Sequence, residues 1–145
     1  MSRYVADTHA LIWPLYSDPK LSPMAQRLFA RADAGDETIL VSTIVLVEII
    51  YLAEKKRIPT DAVQRALAPL SAGADNYQIA PLDMQVVEAL PRISREAVPE
   101  LPDRLIAATA LSLGVPLISR DLSLARLSQI SVIWQQPQNS PLPLW

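Results

Sequence analysis

The sequence predicts an α/β fold, a mainly parallel central sheet flanked by helices on both faces. Three observations lead there. Short apolar runs alternate with longer helix-patterned stretches along most of the chain, the order that builds strand–helix–strand units. The strand-like runs RYVA (3–6), TILV (38–41) and VPLIS (115–119) are mostly apolar without alternation, as suits strands covered on both faces. The helix-like stretches carry recognisable start and stop residues.

Taken in order, RYVA ends at Asp7 and reads as a buried strand. A helix is expected from Thr8 to about Tyr16, disturbed or ended by Pro14. Ser22-Pro23 supplies an N-cap and a first-position proline for a helix to about Ala34, with Gly35 at its end. After TILV, Ser42 and Thr43 offer caps for a long helix over about 43–56. Thr60-Asp61 begins another, to about Ser71, and Tyr77–Ala80 is a short strand. Asp83 caps a helix over about 84–90, Pro99 and Pro102 flank a loop, and Asp103 opens a helix closed by Gly114. VPLIS, a short helix at about 122–127 and an edge strand at 132–134 complete a single domain over 1–134. The tail 135–145, QQPQNSPLPLW, has three prolines and is expected to be extended or mobile.

Composition narrows the chemistry. The 145 residues suit one domain, and the absence of cysteine excludes thiol catalysis, Cys-zinc sites and disulfides. That absence is compatible with the cytoplasm, the expected location. The opening MSRYVADTHALIW does not read as a signal peptide. No run of about 18 apolar residues suggests a membrane span. A net charge of −2 argues against binding nucleic acid through a global positive field. It leaves room for an acidic pocket whose local field a divalent cation inverts. Two basic groups stand out: Lys55, Lys56 and Arg57, and Arg92, Arg95, Arg104 and Arg120. The first reads equally as solvated helix surface.

Four acids are brought together by the predicted topology. Asp7 and Asp121 follow strands directly, and in a parallel sheet the residues just past the strand ends share one edge. Glu48 lies early in the helix that starts at that edge, roughly 7–8 Å along its axis, with its side chain leaning back toward the N-terminus. Asp103 opens the helix that leads into VPLIS, so it returns to the same edge. Taken singly, each has a structural reading: Asp7 and Asp121 as helix caps, Asp103 as a first-turn acid, Glu48 as a solvated or Arg-paired residue. Glu48 is the most suggestive alone, because it interrupts the apolar run STIVLVEIIYLA.

Clustered carboxylates repel one another and suit a hard divalent cation such as Mg²⁺ or Mn²⁺. Such a site fits hydrolysis of a phosphodiester. The lone histidine, His9, reads as a rim residue. A haloacid-dehalogenase-type phosphatase would require Asp-x-Asp, and His9 stands at that position. The acid pattern of a response-regulator receiver is also missing.

These motifs resemble those of the PIN-domain ribonucleases of VapC toxin type. VADTHALIW is similar to their opening strand and first acid, VSTIVLVEI to the second motif, PDRLIAATAL to the third and PLISRD to the fourth. The resemblance covers about residues 1–134. It implies a PIN-like fold and an Mg²⁺- or Mn²⁺-dependent endoribonuclease, the toxin of a toxin–antitoxin pair, with Asp7, Glu48, Asp103 and Asp121 as catalytic and metal-binding residues. Thr8, Ser42 and Ser119 would support them, and Arg104 and Arg120 would contact RNA phosphates. Glu100 stands where many relatives carry another Asp, and a supporting role is the most it implies. A homodimer and a small antitoxin partner are also implied. The alternative is a catalytically silent PIN-like module that binds RNA or protein.

Overall fold

A computed structural model describes residues 2–73 and 75–135 of the chain. Five strands form one parallel sheet in the order β3-β2-β1-β4-β5. They are β1 (Ser2–Ala6), β2 (Glu37–Ser42), β3 (Tyr77–Ala80), β4 (Leu117–Ile118) and β5 (Val132–Ile133). The helices between them are α1 (Thr8–Leu15), α2 (Pro23–Asp33), α3 (Thr43–Glu54), α4 (Ala62–Ser71), α5 (Met84–Ala89), α6 (Leu101–Leu113) and α7 (Leu122–Ala125). A 3₁₀ turn, Leu90–Arg92, follows α5.

The apolar runs are strands for the reason that their composition suggests. All six residues of β2 are buried, as are both of β4. Val5, Ile39, Val41, Leu117 and Ile118 form the sheet's contribution to the core, with Ile49 and Ile106 supplied by helices. Each such side chain contributes about 1.5–3 kcal/mol by leaving water. The edge strands β3 and β5 are less buried.

Chain order fixes where a ligand crevice forms. From β1 the chain steps outward through β2 to β3, then crosses back to β4 on the other side of β1 and continues to β5. The connections after β1 and β4 therefore depart in opposite directions, and the gap between their carboxyl ends is the topological switch point. The register Ala6↔Ile118 sets Asp7 and Ser119 side by side just beyond it. The Asp7 N–H donates to the Ile118 carbonyl at 3.0 Å.

Several boundaries differ from expectation, and a proline accounts for one of them, the start of α6. Pro14 lies in the last turn of α1, and Pro69 lies within α4. Pro102 does not flank a loop: α6 begins at Leu101 with Pro102 in its first turn, where no helical N–H partner is lost. Asp103 is thus a first-turn residue, not the opening one. Gly114 ends α6 at φ +67°, a left-handed conformation that a residue without Cβ takes at little cost. The α3 helix stops at Glu54 instead of 56, and α7 at Ala125 instead of 127. The proline-rich tail lies, from residue 136, outside the described residues.

Candidate active site

Asp7 is fixed by two neighbours. It caps α1, its Oδ1 accepting the Ala10 N–H at 2.9 Å. Its Oδ2 accepts the hydroxyl of Ser119, the buried residue that follows β4. That hydroxyl in turn accepts the Asp121 N–H at 3.0 Å, so one serine joins the turns after β1 and β4. Burial pushes the Asp7 carboxyl above its ordinary pKa. The bonds from Ser119 and Ala10 and the field of His9 pull it back, and the Asp121 charge pushes it up further.

Glu48 is half-buried in α3, and its Oε1 accepts the hydroxyl of the buried Thr8. Thr8 and Ser119 thus hold the two carboxylates that come from the β1 and β2 connections. Asp121 caps α7 with one oxygen only. Its Oδ1 accepts the Ser123 N–H at 2.7 Å, the Ser123 hydroxyl at 2.6 Å and the Leu124 N–H at 3.2 Å. Asp103 is half-buried in the first turn of α6, and its carboxylate has no hydrogen bond among the described residues. Its pKa is pushed up to about 6, first by burial and then by the charges of Asp121, Glu48, Asp7 and Glu100.

All four acids line one open cavity of about 510 Å³, together with Thr8, His9, Trp13 and Arg120. Glu100, the exposed N-cap residue of α6, also lines it. The donor chemistry fits a hard divalent cation, since carboxylates dominate the lining and oxygens on Glu48, Asp103 and Asp121 are left without hydrogen bonds. The acids are not closed into a preformed cage: among the described residues no three His, Cys, Asp or Glu side chains are grouped tightly enough to hold an ion unaided. An ion that keeps several of its waters, as Mg²⁺ does, needs no such cage.

Two residues expected at the site serve elsewhere. Ser42 is buried and caps α3, accepting the Ile44 N–H at 3.3 Å, and does not line the cavity. Arg104 also turns away from it. Its guanidinium donates to the Ile93 carbonyl at 3.0 Å and the Leu90 carbonyl at 3.2 Å. It satisfies carbonyls after α5 and is not placed to meet a phosphate at this cavity. Arg120 does line the cavity, with its guanidinium carbon 5.8 Å from the Trp13 ring centroid. Trp13 itself was not expected here, because an indole on an apolar helix reads as core. Its spacing of one helical turn from His9, whose ring lies 5.5 Å away, was the available signal.

A carboxylate pocket at the switch point of a parallel sheet defines an acidic-site α/β protein. The PIN-domain family model matches residues 4–130, and the chain belongs to that family. No curated protein matches the sequence. Solved structures share the fold at low identity. A chain of VapBC2 from Rickettsia felis, bound to a promoter DNA fragment, superposes with a TM-score of 0.69 at 18% identity, covering 93% of this chain and 99% of that one. A chain of the DNA-bound VapBC from Salmonella typhimurium gives 0.63 at 22% identity over 92% and 98%. A toxin–antitoxin complex from Klebsiella pneumoniae gives 0.61 at 24% identity over 90% and 95%. No helix among the described residues is long and apolar enough to cross a membrane.

Proposed function

We propose that this PIN domain is a metal-dependent endoribonuclease of the VapC type, the toxin of a toxin–antitoxin pair. The observation that carries the reading is the meeting of Asp7, Glu48, Asp103 and Asp121 in one cavity with few compensating cations. Burial together with the neighbouring acids raises the pKa of Asp103 and Asp7, so their charged forms are costly in isolation, and a divalent cation relieves that cost. The shared fold with VapBC complexes supports the toxin assignment and a small antitoxin partner. A homodimer in the cytoplasm is part of the same reading, as is assignment of residues 1–134 to the nuclease domain.

In this reading the four acids hold Mg²⁺ or Mn²⁺. When bound, the cation lowers the pKa of a water and neutralises charge on a phosphoryl oxygen. Ser119 and Thr8 orient Asp7 and Glu48, each leaving carboxylate lone pairs toward the cavity. Arg120, on the cavity wall, offers a cation to the substrate phosphate. The reaction is hydrolysis of an RNA phosphodiester.

The test is incubation of purified, antitoxin-free protein with a total RNA pool in Mn²⁺, Mg²⁺ or EDTA, followed by sequencing of the new ends. Metal-dependent cleavage at recurrent positions is expected. An uncut pool in both metals would favour the silent PIN-like module.

A further inference from the structure

A second cavity of about 590 Å³ adjoins the acid pocket and shares Arg120 with it. Its charges are of one sign among the described residues: Lys20, Arg27 and Arg120 line it, and no described Asp or Glu does. The chain as a whole carries a net charge of −2, so this concentration of cations is local. Arg27 and Arg120 are exposed and make no ion pair among the described residues, while Lys20 pairs with Asp18 at 3.2 Å.

Indole rings separate the two cavities. Trp13 lines the acid pocket and Trp134 lines the basic one, with ring centroids 5.8 Å apart at an interplanar angle of 62°. Lys20 and Arg120 lie 5.6 and 5.8 Å from the Trp13 centroid. The Ser22 hydroxyl donates to the Trp134 carbonyl, fastening the end of β5 to the start of α2. Cations beside aromatic rings form the arrangement that holds single-stranded nucleic acid, phosphates on the charges and bases on the rings.

We propose that this basic, indole-bearing cavity binds the single-stranded RNA that runs on from the phosphodiester held in the acid pocket. The inference rests on the ribonuclease reading and adds to it a single-stranded substrate and the path of that strand. RNA fits both cavities at once: its reacting phosphate requires a metal-filled acid pocket, and its next phosphates require cations. A basic peptide able to enter the acid pocket would be repelled by Lys20, Arg27 and Arg120.

The test compares the wild-type chain with Lys20→Ala/Arg27→Ala, both residues lying outside the acid pocket. Binding of an end-labelled single-stranded 12-mer RNA is followed by fluorescence anisotropy in Ca²⁺ over a salt series. The double variant is expected to bind at least ~10-fold more weakly, with a log–log salt slope smaller by about 1.4 for two lost phosphate contacts. Arg27→Lys should retain most of the affinity. In Mn²⁺ the double variant should show raised KM on RNA with kcat unchanged, and unchanged hydrolysis of bis(p-nitrophenyl) phosphate. Unchanged RNA affinity and slope, with cleavage intact, overturns the RNA path and leaves the ribonuclease reading standing. Failure of the wild type to cleave, with RNA binding lost in the double variant, does the reverse. A double variant that loses only its affinity for a poly-glutamate peptide assigns the cavity to an acidic protein partner and also overturns the proposal.

Discussion

Asp7 and Glu48 are each held by a neighbouring hydroxyl, from Ser119 and Thr8. The carboxylate of Asp103, on α6, has no hydrogen bond among the described residues and a pKa pushed up to about 6. The same cavity thus has one set of acids whose geometry the protein fixes and another whose charge it leaves uncompensated. Asp7 sits where β1 and β4 diverge, so the switch point itself supplies the hydroxyl that orients it, and Glu48, on the next connection, is held by Thr8. The uncompensated acid arrives on a separate helix, in the first turn of α6. Orientation is built in on one side, and on the other an electrostatic demand is left for a ligand to meet.

That contrast can be broken most severely at Asp7. Asp7→Asn removes a carboxylate from the cavity yet keeps an oxygen to cap α1, so activity should fall by about 100-fold or more with the thermal midpoint nearly unchanged. A cleavage assay paired with a melting curve checks both halves. Ser119→Ala leaves every acid in place and removes only the hydroxyl between Asp7 and Asp121. Loss of such an orienting partner should reduce metal affinity or activity by roughly 10–100-fold, measurable by Mn²⁺ titration. If Ser119→Ala is indistinguishable from wild type, the fixed side of the comparison fails.

Smaller effects bear on stability. Arg104→Ala leaves the Leu90 and Ile93 carbonyls without their charged donor and should cost about 1.5–3 kcal/mol. Activity per folded molecule should be unchanged, contrary to a phosphate-binding role. For Asp103, the folded pKa of about 6 lies above the ordinary 3.8. The metal-free folded state therefore holds more protons than the unfolded state between those values, and its stability falls as pH rises through that window. Asp103→Asn should raise metal-free stability at pH 7 by on the order of 1 kcal/mol, the partly exposed position being screened by solvent. The gain should vanish toward pH 4. Denaturant melts at the two pH values in EDTA decide it, and a gain of equal size at both would remove repulsion as its cause.

Much of this was legible in the sequence, and the physical reasons are specific. Strands buried on both faces must be apolar, so TILV and the LI of VPLIS announced themselves. Glu48 was legible because a charge within an apolar helix needs a reason, and Thr8 with the open cavity provides it. The convergence of all four acids followed from parallel topology. What was not legible depended on contacts that sequence spacing does not reveal. Arg104 looked like a phosphate ligand, but its partners are carbonyls 11 and 14 residues back, on a turn whose direction no motif encodes. Ser42 carried two expectations, a cap for its own helix and a support to the site, and only the cap is met, on the Ile44 N–H. Trp13 sits on an apolar helix, and no spacing in the sequence pairs it with Arg120 or Trp134.

Calorimetric titration of Mn²⁺ into the wild-type protein at pH 7, repeated with Asp7→Asn and Glu48→Gln, tests the central claim most directly. The account predicts saturable binding to the wild type that weakens by at least ~10-fold in each variant. Each variant should also gain slightly in metal-free stability. No saturable binding to the wild type, or equal affinity in all three proteins, would contradict a cation site built from these carboxylates.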